Sequence, residues 1–214
     1  MLGTPVCDRP DLPWHGRGTN LDISGCRFSL YPMDSNFIPI ILDALQKTDT
    51  SAVWSSSDVL STVYRGKLNH VADAVRGLFV NAYSPGVHMA LEGQFSKGCP
   101  GDVDADSYLS QSGTSPNISS TKEIHFPVLC KIALYPLGCE NYIDSIAHVY
   151  RMAEHAGLQP STIHYATRIN GDVHAIFDYL EEACAYAQTT AAHYALTFTL
   201  SVNSPTQTPQ TDVQ

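Results

Sequence analysis

Phe28-Ser29-Leu30-Tyr31-Pro32-Met33 is answered later in the same chain by Ile132-Ala133-Leu134-Tyr135-Pro136-Leu137, at an offset of 104 residues. One shared Leu-Tyr-Pro would mean little, but the echo continues outward in order. Asn36-Phe37-Ile38 recurs as Asn141-Tyr142-Ile143, His88-Met89-Ala90-Leu91 as His193-Tyr194-Ala195-Leu196, and Pro100 as Pro205, all at an offset of 105. Cys26 and Cys130 also correspond. An offset that holds over most of each half marks an internal duplication, and the repeated unit decides the fold.

Within the first copy, residues 26–32 alternate and are rich in Phe, Leu and Tyr, then stop at Pro32, as a strand does where proline cannot donate to the ladder. Asp34 or Ser35 can cap the next segment, where Phe37, Ile38, Ile41, Leu42 and Leu45 recur at helical spacing. Residues 52–56 and 59–65 flank a Ser-rich turn and predict a hairpin. Val71, Ala74, Val75, Leu78 and Phe79 predict a second helix, and residues 87–96 a last strand. The second copy repeats this order: a strand at 130–136, a helix over Ile143, Ile146, Ala147, Tyr150 and Met152, a hairpin ending at Arg168, a helix that Asp172 can cap, and a strand at 193–202. The reading is an α+β protein, a tandem duplication of a ferredoxin-like βαββαβ unit with antiparallel sheets and helices on one face. Each sheet then keeps an uncovered face, so the units must pack face to face or join edges, and a homodimer is expected.

The boundaries that follow are a tail at 1–21, repeat 1 at 22–102, a linker at 103–126, repeat 2 at 127–205 and a C-terminal tail at 206–214. Both tails lack apolar periodicity and are expected to be disordered. The linker, rich in Asp, Ser, Gly and Asn, is expected to be irregular. At 214 residues the chain is long enough for two small cores.

A net charge of −9, without clustered Lys and Arg, argues against a nucleic-acid partner. The start lacks a secretory signal's basic and apolar regions, and no run of about 18 apolar residues follows, so a cytoplasmic protein without membrane insertion is expected. The six cysteines show no CxxC pair or zinc spacing, which favours reduced, mostly buried thiols. His148 and His155, seven apart, can share a helix face, and His174 has Asp172 and Asp178 nearby. Zinc needs three or four converging ligands and no HExxH or HxH occurs, so no metal site is assigned. The chain has no GxSxG elbow, and the loop Gly98-Cys99-Pro100-Gly101-Asp102 has Asn203-Ser204-Pro205 as its repeat partner, a position that does not demand sulfur. No catalytic residue and no cofactor are assigned.

Phe28 to Met33, Thr48-Asp49-Thr50-Ser51, Ser61-Thr62-Val63, Arg65-Gly66 and His70-Val71, followed by Ala133 to Pro136, His164-Tyr165-Ala166 and Gly171-Asp172, together resemble the YkoF family of hydroxymethylpyrimidine/thiamin-binding proteins over residues 24–205. The resemblance implies tandem ferredoxin-like repeats, a homodimer, and non-catalytic binding of thiamin or its hydroxymethylpyrimidine moiety. It also implies a functional link to a thiamin-precursor transporter or salvage. An aminopyrimidine needs an apolar or aromatic slot with a few fixed polar groups. Thr48, Asp49, Thr50 and Ser51 offer hydroxyls and a carboxylate for its edge, although the same residues also suit an ordinary turn after a helix. Ser29, Tyr31 and Thr62 in repeat 1, with Tyr135, His164 and Tyr165 in repeat 2, complete the candidate ligand-binding set; each tyrosine serves equally as a core residue. Two unequal pockets are expected, the tighter in repeat 1, because the polar residues of the copies have diverged. The rival classes are a ferredoxin-like regulatory or dimerisation module sensing another small metabolite and a small enzyme acting on a thiamin precursor.

Overall fold

A computed structural model describes residues 22–97, 105–111, 113 and 115–206. Expectations for the segment 1–21, the loop 98–102 and the residues beyond 206 lie outside the described residues. Repeat 1 runs β1 (Ser24–Pro32), α1 (Phe37–Lys47), β2 (Trp54–Ser57), β3 (Thr62–Gly66), α2 (Leu68–Ala82) and β4 (Met89–Lys97). Repeat 2 runs β5 (Pro127–Leu137), α4 (Tyr142–His155), β6 (Ser161–Ile163), β7 (Ala166–Asp172), α5 (Val173–Thr190) and β8 (His193–Val202). Each is the βαββαβ unit that its periodicity predicts. Between them the linker is not wholly irregular: it carries a 3-10 turn at Asp106–Ser110 and the helix α3 (Pro116–Thr121). Pro116 supplies the fixed φ of a first helical position, which a composition dominated by Ser and Asp conceals.

The two repeats join edge to edge. The strands form one antiparallel eight-stranded sheet in the order β2-β3-β1-β4-β8-β5-β7-β6, and β4 pairs with β8 from Met89↔Val202 to Ser96↔Ala195. The Gly93↔Phe198 pair sits at the centre of this seam, and these two residues are each other's repeat equivalents. Gly93 has no side chain because Phe198 occupies that space; a Cβ there would lie 2.7 Å from Phe198 Cζ and 3.1 Å from Phe28 Cβ. Alternation sends Cys26, Phe28, Leu91, Phe95, Leu196, Phe198, Cys130 and Ile132 to the helix side, where one apolar core runs unbroken across both repeats. Arg27, Ser29, Tyr31, Glu92, Gln94, Thr197 and Thr199 point to the opposite, open face.

The helices pair across the seam. Arg76 of α2, fully buried against Phe177, reaches Asp178 of α5. Asp73, the repeat equivalent of Asp178, is also buried, but it accepts bonds from the amides of Asn117 and Ile118 and from Asn117 Nδ2 in α3. Gly77 leaves the slot for that asparagine, whose side chain would stand 2.6 Å from a Cβ. Asp172 caps α5, accepting from the His174 amide, as its position predicts.

The first helix of each repeat departs from the usual inward stripe. Only Ala44 of α1 is buried, while Phe37 and Ile38 are 47% and 56% exposed; in α4, Ser145, Val149 and Ala153 face inward and Ile143 is 60% exposed. The helical spacing is right, but the largest apolar residues of these helices face away from the core. Both helices lie at the flanks of the helix layer, where small residues contact the longer α2 and α5.

The seam's dependence on a bare backbone gives a direct expectation. Gly93→Ala overpacks the Phe28–Phe198 contact and should cost about 1–3 kcal/mol, lowering the thermal midpoint by roughly 2–12 °C for a chain of this size. Thermal denaturation followed by circular dichroism measures it.

Candidate functional site

The open face holds a groove of about 630 Å³ that straddles the seam. Its floor is set by strand register. One row across the sheet is Arg27, Gln94, Thr197 and Ala133, and the next is Ser29, Glu92, Thr199 and Lys131. Adjacent strands lie about 4.8 Å apart, so these side chains form a two-row polar grid with Phe28, Gly93 and Phe198 beneath it. Tyr31 stands at one end and donates its hydroxyl to Glu92 Oε1 at 3.0 Å. The groove's volume is in the range of small-molecule sites.

The tip of the β2–β3 hairpin makes the wall. Leu60 and Ser61 line the groove, and five side-chain bonds hold the tip there. Asp58 Oδ1 accepts from the amides of Leu60 (2.8 Å) and Ser61 (3.0 Å), which closes the turn. Arg27 Nη1 donates to Asp58 Oδ2 (2.9 Å) and to Ser61 Oγ (2.6 Å), and Ser29 Oγ donates to the Leu60 carbonyl at 3.1 Å. The bond from the Leu60 amide, with help from Arg27 and Ser61, holds the Asp58 carboxyl below its ordinary range. Lys131 has no ion-pair partner among the described residues.

The structure divides the expected ligand residues into three places. Ser29 and Tyr31 line the groove. Tyr135, His164 and Tyr165 occupy the matching positions of repeat 2, outside the groove: Tyr135 is the equivalent of Tyr31, and His164-Tyr165 form the β6–β7 turn that corresponds to Val59-Leu60. There Tyr165 has a φ of +68° and is 98% exposed. The remaining five are elsewhere. Thr48 is buried at the end of α1, donating to the Ala44 carbonyl and accepting from Asn81 of α2. Asp49 Oδ1 accepts from the side chain and amide of Ser51, bonds that hold its carboxyl below the ordinary range. Asn117 bonds both the amide and carbonyl of Asp49. Thr48, Asp49, Thr50 and Ser51 thus form a turn docked in the helix layer, on the other side of the sheet from the groove. Thr62 faces the helix side, opposite Phe28, and its hydroxyl bonds Ser57 Oγ at 2.8 Å.

Glu92, Gln94, Lys131, Thr197 and Thr199 are the lining residues that the sequence reading omits. Their signal is the polar half of two alternating stretches, Leu91-Glu92-Gly93-Gln94-Phe95 and Leu196-Thr197-Phe198-Thr199-Leu200. Only the joining of β4 to β8 brings the two together. Elsewhere, His148 stacks on Tyr186, and His125 bonds Asp172, itself occupied as the cap of α5. Among the described residues no three metal-ligating side chains converge. Cys26, Cys130, Cys139 and Cys184 are free thiols, and burial pushes Cys184 up to about 12. No helix of the described residues is long and apolar enough to cross a membrane.

Two ferredoxin-like units sharing one sheet, with a polar groove over their seam, define a class of tandem-repeat proteins, and the chain belongs to the YkoF-related family. The model described as "YKOF-related Family" matches it twice, at residues 23–102 and 127–207. A relative from Bacillus subtilis (strain 168), named "Putative HMP/thiamine-binding protein YkoF", is 39% identical over 185 residues, spanning 86% of this chain and 92% of that protein.

Asp58 should report the state of the groove wall. Its carboxyl is depressed in the folded state, so the hairpin's bonds are fully present above the unfolded-state value and are lost as pH falls through the lower folded one. An NMR titration of the Leu60 and Ser61 amides should therefore show a midpoint below 3.8.

Proposed function

We propose that this protein binds thiamin or its hydroxymethylpyrimidine moiety in the open-face groove without turning it over, in support of uptake or salvage of thiamin precursors in the cytoplasm. The observation that carries the reading is the groove's lining: one carboxylate, one amide, hydroxyls, a tyrosine ring and the cations Arg27 and Lys131, preformed over the seam of a YkoF-family fold. An aminopyrimidine presents a flat ring, an exocyclic amine and ring-nitrogen acceptors. Glu92 can accept from the amine, Gln94 can both donate and accept, and Tyr31 offers a ring and hydroxyl at the groove's end. The Glu92 charge also suits the cationic thiazolium of thiamin. The lining holds neither histidine nor cysteine.

The family membership and the printed name of the Bacillus relative support the same ligand class. The repeat-2 half of the open face has Ala133 and Ala166 where repeat 1 has Ser29 and Ser61, so a second, weaker site there fits the divergence of the copies. For the assembly, we propose a homodimer. The outward apolar stripes support it: Phe37, Ile38 and Ile41 of α1 match Tyr142, Ile143 and Ile146 of α4, a repeated surface of the kind that a second copy covers.

Calorimetric titration with thiamin and with free hydroxymethylpyrimidine, followed by chromatography of the recovered ligand, tests the reading. The expected result is saturable binding and an unchanged ligand; absence of heat with both up to millimolar concentration, or a converted ligand, overturns it. Glu92→Gln, which removes the charge offered to the ligand's amine, should weaken the tighter phase about tenfold, equivalent to about 1.4 kcal/mol. Sedimentation velocity should give a dimer for the native chain, and Ile38→Glu with Ile143→Glu should shift it toward monomer.

A further inference from the structure

The groove wall has little apolar packing to hold it. Val59 and Leu60, the tip of the β2–β3 hairpin, are 100% and 80% exposed. What fixes this tip over the groove is a set of directed bonds that converge on one side chain. Asp58 closes the turn through Oδ1, joins it to β1 through the Arg27 contact at Oδ2, and donates its own amide to the Ser61 carbonyl at 3.0 Å. Asp58 itself does not line the groove.

The second repeat supplies the natural comparison. Under the offset of 105 that holds in the hairpin, Ile163 stands where Asp58 does and Ala166 where Ser61 does, and under the offset of 104 that holds in the first strand, Ala133 and Lys131 replace Ser29 and Arg27. None of the five tethering side-chain bonds can form there. The corresponding turn residue, Tyr165, projects into solvent, and this end of the open face is not part of the groove. The backbone architecture is the same in both copies; the tether is what differs.

We infer that Asp58 is a positioning residue: through Arg27, Leu60 and Ser61 it holds the hairpin tip as a wall, and so sets the affinity of the repeat-1 groove without touching the ligand. The inference rests on the proposed binding of thiamin in that groove. An exposed ion pair contributes little to the stability of a whole domain, and Asp58 acts locally. If only a fraction of molecules carries an ordered wall, apparent affinity falls by that fraction. A tip ordered about one tenth of the time binds about tenfold more weakly, with Ser29, Tyr31, Glu92 and Gln94 untouched.

The test compares Asp58→Ala, Asp58→Asn and Asp43→Ala, the last removing an equally exposed ion pair with Lys47 on α1. Thiamin affinity is measured by calorimetry, global stability by thermal denaturation, and the order of the Val59, Leu60 and Ser61 amides by NMR relaxation with and without thiamin. Asp58→Ala should lower affinity about tenfold with an unchanged thermal midpoint and newly mobile tip amides, which saturating thiamin re-orders. Asp58→Asn, which keeps an acceptor for the turn amides but loses the charge facing Arg27, should fall between Ala and native, and Asp43→Ala should match native. If Asp58→Ala binds as tightly as native, or if its tip amides stay rigid while affinity falls, the positioning role is overturned and the binding reading stands. If the native protein binds neither thiamin nor hydroxymethylpyrimidine, both fall. A gain-of-function arm excludes a merely structural effect: Ile163→Asp with Ala166→Ser, facing Lys131, should rigidify the repeat-2 turn and tighten the weaker phase. A turn that stays mobile with both carboxylate and hydroxyl installed counts against the inference.

Discussion

The pairing of β4 with β8 is the constraint on which the molecule depends. A βαββαβ unit has an open edge and an open face, and an open edge is a liability because its unpaired backbone groups recruit other chains. Joining β4 to β8 removes one open edge from each unit and merges two small cores into one, while the face opposite the helices stays open. The join is close because Gly93 yields its side-chain space to Phe198, its own repeat equivalent. On the reverse side of the same strands, the register that packs this aromatic also fixes which polar residues stand side by side. The groove floor follows from the seam: Glu92 and Gln94 from one repeat meet Thr197 and Thr199 from the other only in this alignment.

The fold was readable in the sequence because a duplication states each element twice. Strand ends at Pro32 and Pro136, the cap at Asp172 and the last strand at 193–202 follow from local chemistry, which the tertiary structure leaves in force. The site was less legible. Ser29 and Tyr31 lie in the groove because a strand-end motif is also a strand face. Thr48 to Ser51 carry the right functional groups for a ligand but spend them on α1, α2 and Asn117, and nothing in the sequence tells a polar turn that binds from one that docks. Glu92 and Thr199 are 107 positions apart, and their adjacency exists only once the edges join. The exposed stripes of α1 and α4 show the same limit in reverse: periodicity identifies a helix face but not what lies against it.

Duplication gave the chain two of everything, and the copies have since taken different partners. Asp73 and Asp178 are equivalent residues on equivalent helices. One is satisfied by the linker's Asn117, the other by Arg76 from the opposite repeat. Likewise Arg27 anchors a hairpin while Lys131, in its place, lines the shared groove. These divergences break a near twofold symmetry at the positions where the linker or the ligand face can act on only one copy. The scaffold residues, by contrast, remain paired across the seam, as His88 with Ser201 and His193 with Ser96 still show.

The position of the seam strands along the chain also sets an order of assembly. β8 ends at Val202, and its partner β4 lies a full repeat earlier, so their pairing is the most non-local contact in the sheet. Each unit can collapse around its own helices before the long loop between them is closed, at an entropic cost that grows only slowly with loop length. On a ribosome that emits the chain from its N-terminus, repeat 1 stands with β4 as a bare edge until the final strand arrives. The half of the groove floor that β8 supplies, Thr197 and Thr199, is therefore missing until that strand has been made. A chain that stops short of β8 would present a sticky edge in place of a complete binding surface, which makes the last strand itself a condition for the groove to exist.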